Sequence, residues 1–191
     1  MNRVSKIPLL TLLCVLVASA TPAQAKMEKL EETVVMSDGT GLDARIFKPE
    51  GAGAWPALLV RTPYSSESAG DALVWVDAGA VFVKQNVRGQ GLSDGEFCLM
   101  LCDGQDGVET IDWITRQSWS NAEVVMVGNS VSSFTQYMVA PESPEGLRAL
   151  TLGVASASIY DVVMPGGSIR ELDIQTWAIS ISQRTGGRSW A

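Results

Sequence analysis

The stretch Val124-Val125-Met126-Val127-Gly128-Asn129-Ser130-Val131 determines the fold class. Its four consecutive apolar residues are typical of a strand that is buried on both faces. The apolar run stops at Gly128, and residues 131–140 can form a helix. A sharp turn between a buried strand and a helix lifts the residue at the turn above the carboxyl edge of a parallel sheet. Ser130 is therefore a candidate nucleophile, and the Val131 N–H, at the helix N-terminus, is a candidate donor to a developing oxyanion.

This turn alone is a weak signal. The match to G-x-S-x-G is imperfect because Ser132 occupies the last position. Serine and asparagine are also effective helix N-caps, so Asn129 or Ser130 can simply cap the helix that follows. Spacing alone leaves both interpretations open.

The segments on either side of the turn alternate between strand and helix patterns. Residues 33–36 and 42–47 predict two strands joined by the turn Ser37-Asp38-Gly39, and hence an antiparallel hairpin. Further strands are expected at residues 57–60, 81–83, 124–127 and 149–152, with helices at 69–78, 103–117 and 131–140. This order predicts an α/β fold with a mostly parallel sheet and an N-terminal antiparallel hairpin.

Residues 1–25 have the pattern of a secretory signal peptide. Arg3 and Lys6 precede an apolar run over residues 7–18, and Ala23-Gln24-Ala25 forms a small-x-small cleavage site. The apolar run is shorter than the roughly 20 residues that a membrane span needs. We therefore expect an exported protein, periplasmic or secreted, cleaved after Ala25 and not attached to the membrane afterwards.

The remaining chain divides into two predicted parts. Residues 26–158 carry the α/β pattern, and the pattern changes after Ser156. Residues 159–191 predict the start of a helical cap, with one apolar-rich helix over residues 169–182.

The composition excludes several classes of function. The chain has 191 residues, 46% of them hydrophobic and 18% charged, so intrinsic disorder is excluded. Its 14 basic residues form no cluster and are outnumbered by 21 acidic ones, which argues against a nucleic-acid partner. The sequence contains no histidine, so these residues supply no histidine base and no histidine metal ligand. No cofactor or metal is implied.

Export would leave two cysteines, Cys98 and Cys102, in an oxidising compartment. They form either a local disulfide or two free thiols in a surface loop, and the sequence leaves both possibilities open. We expect no catalytic role for either residue.

Several co-linear motifs resemble those of one known family of enzymes. Arg61-Thr62-Pro63-Tyr64 is similar to an R-x-P-Y motif after the third strand, and residues 86–95 (NVRGQGLSDG) are similar to a (D/N)-V-R-G-x-G-x-S-x-G loop. Gln117-Ser118-Trp119-Ser120-Asn121 precedes the nucleophile strand, and Gly128-Asn129-Ser130 matches the turn itself. Over residues 30–180 the chain thus resembles the cocaine-esterase and X-prolyl dipeptidyl-peptidase group (CocE/NonD-type) of α/β-hydrolases.

The resemblance implies an α/β-hydrolase fold and a serine hydrolase that cleaves small esters, amides or peptides through an acyl-enzyme. Ser130 would be the nucleophile, with the Val131 N–H and the Tyr64 hydroxyl as oxyanion donors. The alternative for Tyr64 is a ring that only packs at a strand end. Arg88, in the glycine-rich loop, is expected to be a buried or bridging charge and not a catalytic residue.

Two residues depart from the family pattern, and part of the catalytic machinery is missing. Val131 stands where the family usually has tyrosine, and Ser133 where it has glycine, so we expect Ser133 to distort the turn modestly. The acid and the histidine of the family follow the nucleophile further along the chain. Without them the 191 residues predict a nearly inactive fragment. The alternative is an inactive binding module or gene remnant with an open sheet edge.

Overall fold

The computed structural model describes residues 26–64 and 69–182, so the proposed signal peptide lies outside the described residues. These residues form one six-stranded sheet flanked by helices. The strands are β1 (Met27–Val35), β2 (Gly41–Pro49), β3 (Trp55–Thr62), β4 (Val81–Asn86), β5 (Ser120–Asn129) and β6 (Leu147–Gly153). The α-helices are α1 (Ala69–Asp77), α2 (Asp103–Thr115), α3 (Val131–Val139), α4 (Ile159–Val163) and α5 (Glu171–Ser182).

The sheet has the order β1-β2-β4-β3-β5-β6. β1 and β2 form the predicted antiparallel hairpin, and β2 is also antiparallel to β4. β4, β3, β5 and β6 are parallel, which confirms the mostly parallel sheet expected from the sequence. Because parallel strands end at the same edge, the residues that follow β3 and β5 are brought to one side of the molecule.

The continuous apolar runs are explained by cores on both faces of the sheet. On β3, Leu59 belongs to a core with residues of α2, whereas its neighbour Leu58 belongs to a second core under α1. Successive side chains of a strand point to opposite faces, so a strand covered on both sides requires consecutive apolar residues. β6 is the outer strand of the described sheet, and Leu152 on it is 37% exposed.

A buried arginine connects the end of β3 to α2. The Arg61 side chain is fully buried, and its Nε donates to Gln85 Oε1 on β4 at 2.9 Å. Its Nη1 donates to the backbone oxygen of Asp103 at 2.6 Å, and its Nη2 lies 3.7 Å from Asp106 Oδ2. Burial lowers the pKa of Arg61, and the two carboxylates act in the opposite direction by favouring the charged guanidinium.

Arg88 bridges α2 to the turn of the hairpin, as expected from the sequence. Its guanidinium makes a two-pronged contact with Asp106, at 3.1 Å from Nε and 2.6 Å from Nη2. Its Nη1 donates to Asp38 Oδ2 at 2.6 Å and to Thr40 Oγ1 at 2.7 Å. The hydrogen bond from Arg88 lowers the pKa of Asp38 to about 2, with help from Thr40.

The helices agree with the sequence-based expectations to within a few residues at their ends. The predicted helix over residues 169–182 is observed as Glu171–Ser182. Among the described residues, no helix has the length and apolar character that crossing a bilayer requires.

We predict that Arg61→Ala lowers the free energy of unfolding by about 3 kcal/mol or more, because it leaves buried carboxylates without their counter-charge. Urea unfolding followed by circular dichroism measures this. Arg148→Ala is the control, because Arg148 lies 3.5 Å from Glu123 with both side chains about half exposed. Such a surface pair contributes at most about 1 kcal/mol. Equal losses in the two variants would contradict a structural role for the buried arginine.

We predict that Asp38 stabilises the fold except in strong acid. Because its pKa is lower in the folded state, falling from 3.8 to about 2, its contribution is present above about pH 4 and is lost as the pH falls towards 2. The difference in unfolding free energy between the wild type and Asp38→Asn should therefore shrink over that interval. An NMR titration of the Asp38 carboxyl carbon with a midpoint near 3.8 would contradict the prediction.

Candidate active site

Ser130 occupies a strained backbone conformation at the carboxyl edge of the sheet. It lies between the last residue of β5 and the first residue of α3, with φ 54° and ψ −123°. Only glycine adopts positive φ without steric cost, and such strain in other residues is concentrated at functional sites. The residue is exposed, so the turn presents its hydroxyl to solvent and to the neighbouring cavity. This is the nucleophile-elbow geometry expected from the sequence.

The neighbours of Ser130 explain how the turn is held. The Ser130 N–H donates to the backbone oxygen of Gly153, at the end of β6, at 2.9 Å. At Gly128, an added Cβ would lie 2.6 Å from the Cβ of Ser132, so only glycine allows α3 to approach β5 this closely.

Ser133, which stands where the family usually has glycine, is packed against the strand that precedes the turn. Its side chain is fully buried, and its Oγ lies 2.8 Å from the backbone oxygen of Gly128 and 2.9 Å from that of Gly153. The hydroxyl therefore donates to the strand on which the turn is built and is within reach of the adjacent strand. The buried hydroxyl is thus satisfied, because two backbone carbonyl oxygens lie within hydrogen-bond distance of its single hydrogen.

Val131 is the first residue of α3, and its side chain is buried. The N–H groups of the first helical turn have no acceptor within the helix, and the helix dipole favours negative charge there. The replacement of the family's usual tyrosine by valine leaves this backbone group in place. The Val131 N–H is thus available to an anionic oxygen next to Ser130.

Tyr64 follows β3 by two residues and is held through its backbone and its hydroxyl. Asn86, the last residue of β4, donates from Nδ2 to the Tyr64 carbonyl oxygen at 3.2 Å. The Tyr64 hydroxyl accepts a hydrogen bond from Trp177 Nε1 on α5 at 3.0 Å. Trp177 also lines the cavity that contains Ser130. The Tyr64 hydroxyl is thus in polar contact with a residue of the cavity wall, in addition to any packing of its ring at the strand end.

A cavity of about 420 Å³ lies between the turn, α4, α5 and the loop before α2. Most of its lining is aliphatic or aromatic. Two charged residues of the lining, Arg170 and Asp173, form an ion pair with 3.8 Å between Nε and Oδ2. The lining residues are Leu99, Met100, Ser130, Val131, Phe134, Ile159, Val162, Val163, Arg170, Asp173, Ile174 and Trp177.

Cys98 and Cys102 are joined by a disulfide, with 5.8 Å between their Cα atoms. The bridge closes the loop that carries Leu99 and Met100 into the cavity lining. In the described part of the chain, no group of three His, Cys, Asp or Glu side chains is placed to hold a metal ion.

The structure brings the predicted nucleophile, Ser130, and the predicted oxyanion donor, Val131, to the same cavity. Ser130, Val131 and the indole that contacts Tyr64 border one cavity. The sequence has no histidine to accept the serine proton. Sequence reasoning missed Trp177, Leu99 and Met100 as site residues. The tryptophan lies 113 residues beyond Tyr64, and no local pattern connects them.

This is an α/β-hydrolase fold. It is defined by the strand order, by the strained serine between β5 and α3, and by the cavity beside that serine. The chain belongs to the X-Pro dipeptidyl-peptidase (S15) family, whose model matches residues 38–190. It is 33% identical over 157 residues to a cocaine esterase from Rhodococcus sp. (strain MB1 Bresler), a match that covers 78% of this chain.

Solved structures show the same relationship. A selenomethionine-labelled α-amino acid ester hydrolase superposes with a TM-score of 0.58 at 30% identity, covering 76% of this chain and 28% of that one. A CocE/NonD family hydrolase from Staphylococcus aureus gives a TM-score of 0.59 at 29% identity, covering 65% of this chain and 26% of that one. The chain spans only 27% of the length of the Rhodococcus esterase.

We predict that Ser130→Gly unfolds at higher urea concentration than Ser130→Ala. Glycine tolerates φ 54°, whereas alanine retains the strain, and the expected difference in unfolding free energy is about 1–2 kcal/mol. Both variants lack the hydroxyl, so the comparison isolates the backbone. Equal midpoints for the two variants would show that the turn is not strained.

Proposed function

We propose that this chain is the N-terminal portion of an exported serine hydrolase that cleaves esters or amides through an acyl-enzyme. The observation that carries the proposal is the strained, exposed Ser130 at the edge of an apolar cavity. Membership in a family of esterases and peptidases supports the same chemistry.

In the proposed mechanism, Ser130 Oγ attacks the substrate carbonyl carbon while a base removes the hydroxyl proton. Negative charge develops on the carbonyl oxygen and is stabilised by the Val131 N–H and the Tyr64 O–H. The Tyr64 oxygen accepts the hydrogen bond from Trp177 Nε1, and a phenolic hydroxyl can donate its own hydrogen while it accepts one. The protonated base then gives its proton to the leaving group, and water hydrolyses the acyl-enzyme.

We propose that the base and the acid that orients it come from polypeptide outside these residues, because the 191 residues contain no histidine. An unassisted serine hydroxyl is a poor nucleophile at neutral pH. Loss of a triad member costs on the order of 10⁴ in rate, so residues 26–191 alone should be nearly inactive.

The substrates are proposed to be small esters, amides or peptides. The apolar lining of the cavity supports an apolar group next to the scissile bond, and the cavity volume of about 420 Å³ is within the range of small-molecule sites. The similar proteins are a cocaine esterase and an α-amino acid ester hydrolase, which act on esters according to their names.

A fluorophosphonate probe applied to the protein exported by its native host tests this proposal. We expect an intact mass above that of residues 26–191, carrying one probe adduct, because a base must be present for Ser130 to react. Ser130→Ala should abolish the adduct. The control Ser118→Ala, which removes an exposed hydroxyl before β5, should retain it.

A mass equal to residues 26–191 without an adduct would overturn the proposal. That result would favour the second candidate, an inactive binding module with a hydrolase fold, which the absence of histidine motivates. An adduct on residues 26–191 alone would instead refute the external base.

A further inference from the structure

The loop from Cys98 to Cys102 forms one wall of the cavity that contains Ser130. Leu99 and Met100 line the cavity, whereas the side chain of Leu101 is 90% exposed. The disulfide joins the two ends of the loop. Of these three consecutive residues, Leu99 and Met100 therefore face the cavity and Leu101 faces solvent.

Met100 is held in place by a hydrogen bond from its backbone to a residue of α2. Its N–H donates to Asp103 Oδ2 at 2.8 Å, and Asp103 is itself bound by the buried Arg61. Met100 has φ 66°, a conformation that is uncommon for residues other than glycine. The loop therefore turns sharply at Met100, and the Asp103 carboxylate holds this turn.

We propose that Leu99 and Met100, held on the loop that the Cys98–Cys102 disulfide closes, determine which substrates the cavity accepts. Leu99 and Met100 contact the apolar part of an ester or amide, and the disulfide keeps them against the cavity. Met100 suits this role because its flexible thioether adapts to apolar groups of different shape. The inference rests on the proposed function, which places the reacting carbonyl at Ser130.

The chemistry of the opposite wall indicates the class of substrate. Val131, Phe134, Ile174 and Trp177 are apolar or aromatic, so an uncharged group is favoured. The charged residues of the lining, Arg170 and Asp173, are opposite in sign and both more than half exposed to solvent, so the lining carries no net charge. The proposed ligand is therefore a neutral ester or amide with an extended apolar substituent.

Binding of N-alkylacetamides, from N-methyl to N-hexyl, tests the proposal without requiring turnover. The protein is expressed in full from its own gene, with Ser130→Ala and ¹³C-methyl methionine, and is titrated by NMR. Affinity should rise about fourfold per methylene as apolar surface is buried. The resonance that disappears in Met100→Gly identifies the Met100 methyl group, which should shift on binding.

Met100→Gly also removes the side chain without disturbing the loop, because glycine adopts positive φ readily. We expect about tenfold weaker binding of the N-hexyl amide and little change for the N-methyl amide. The matched control Leu101→Ala should bind both amides like the parent, because Leu101 points to solvent.

The double variant Cys98→Ser/Cys102→Ser tests the disulfide and should show the same selective loss for long substituents. Unchanged N-hexyl affinity in Met100→Gly, or in the double serine variant, would overturn the proposal. The Ser130→Ala background keeps the two hypotheses separate. Chain-length selectivity without fluorophosphonate labelling of the serine protein would refute the hydrolase proposal, whereas labelling without selectivity would refute the loop's role.

Discussion

The buried guanidinium of Arg61 connects the elements that build the candidate site. Its side chain joins the end of β3 to β4 and to the first turn of α2, and its backbone oxygen accepts from Thr135 Oγ1 on α3 at 3.4 Å. Through Asp103 the same cluster holds the N–H of Met100 in the cavity wall. A charge with no access to water must keep its partners, so these elements are constrained to move together. The buried Arg61 therefore connects the segments that carry Tyr64, the serine turn and the disulfide loop.

The strained backbone at Ser130 is tolerated because several neighbouring contacts hold the turn in place. The backbone bond to Gly153, the glycine at 128 and the Ser133 hydroxyl all act within a few residues of the turn. Backbone strain of this kind persists only where neighbouring contacts over-determine the conformation. At Ser133, where the family usually has glycine, the hydroxyl is hydrogen-bonded to the strand that precedes the turn.

Sequence patterns predicted the sheet because its signals are local. A strand covered on both faces requires consecutive apolar residues such as Leu58 and Leu59, and a tight strand-to-helix turn requires Gly128. The resemblance to a known family identified Ser130 and Tyr64, which spacing alone left undecided. The Trp177 contact and the inward orientation of Met100 depend on how distant segments meet in space. Sequence periodicity does not report contacts between distant segments, so the positions of Trp177 and Met100 in the cavity wall became known only from the structure.

The proposed mechanism needs two contributions, the oxyanion donors and the base that accepts the serine proton, and these come from different parts of the polypeptide. The proposed oxyanion donors, Tyr64 after β3 and Val131 at the start of α3, lie within the S15 match, whereas the 191 residues contain no histidine to accept a proton. Preorganised donors are usually the largest single contribution to acyl transfer, and they act whether or not a base is present. Enzymes that lose a triad member keep on the order of 10³–10⁴-fold catalysis over water from such donors and from binding. The described residues therefore contain the half of the proposed machinery that depends on a rigid fold, and the absent base governs how fast the serine reacts.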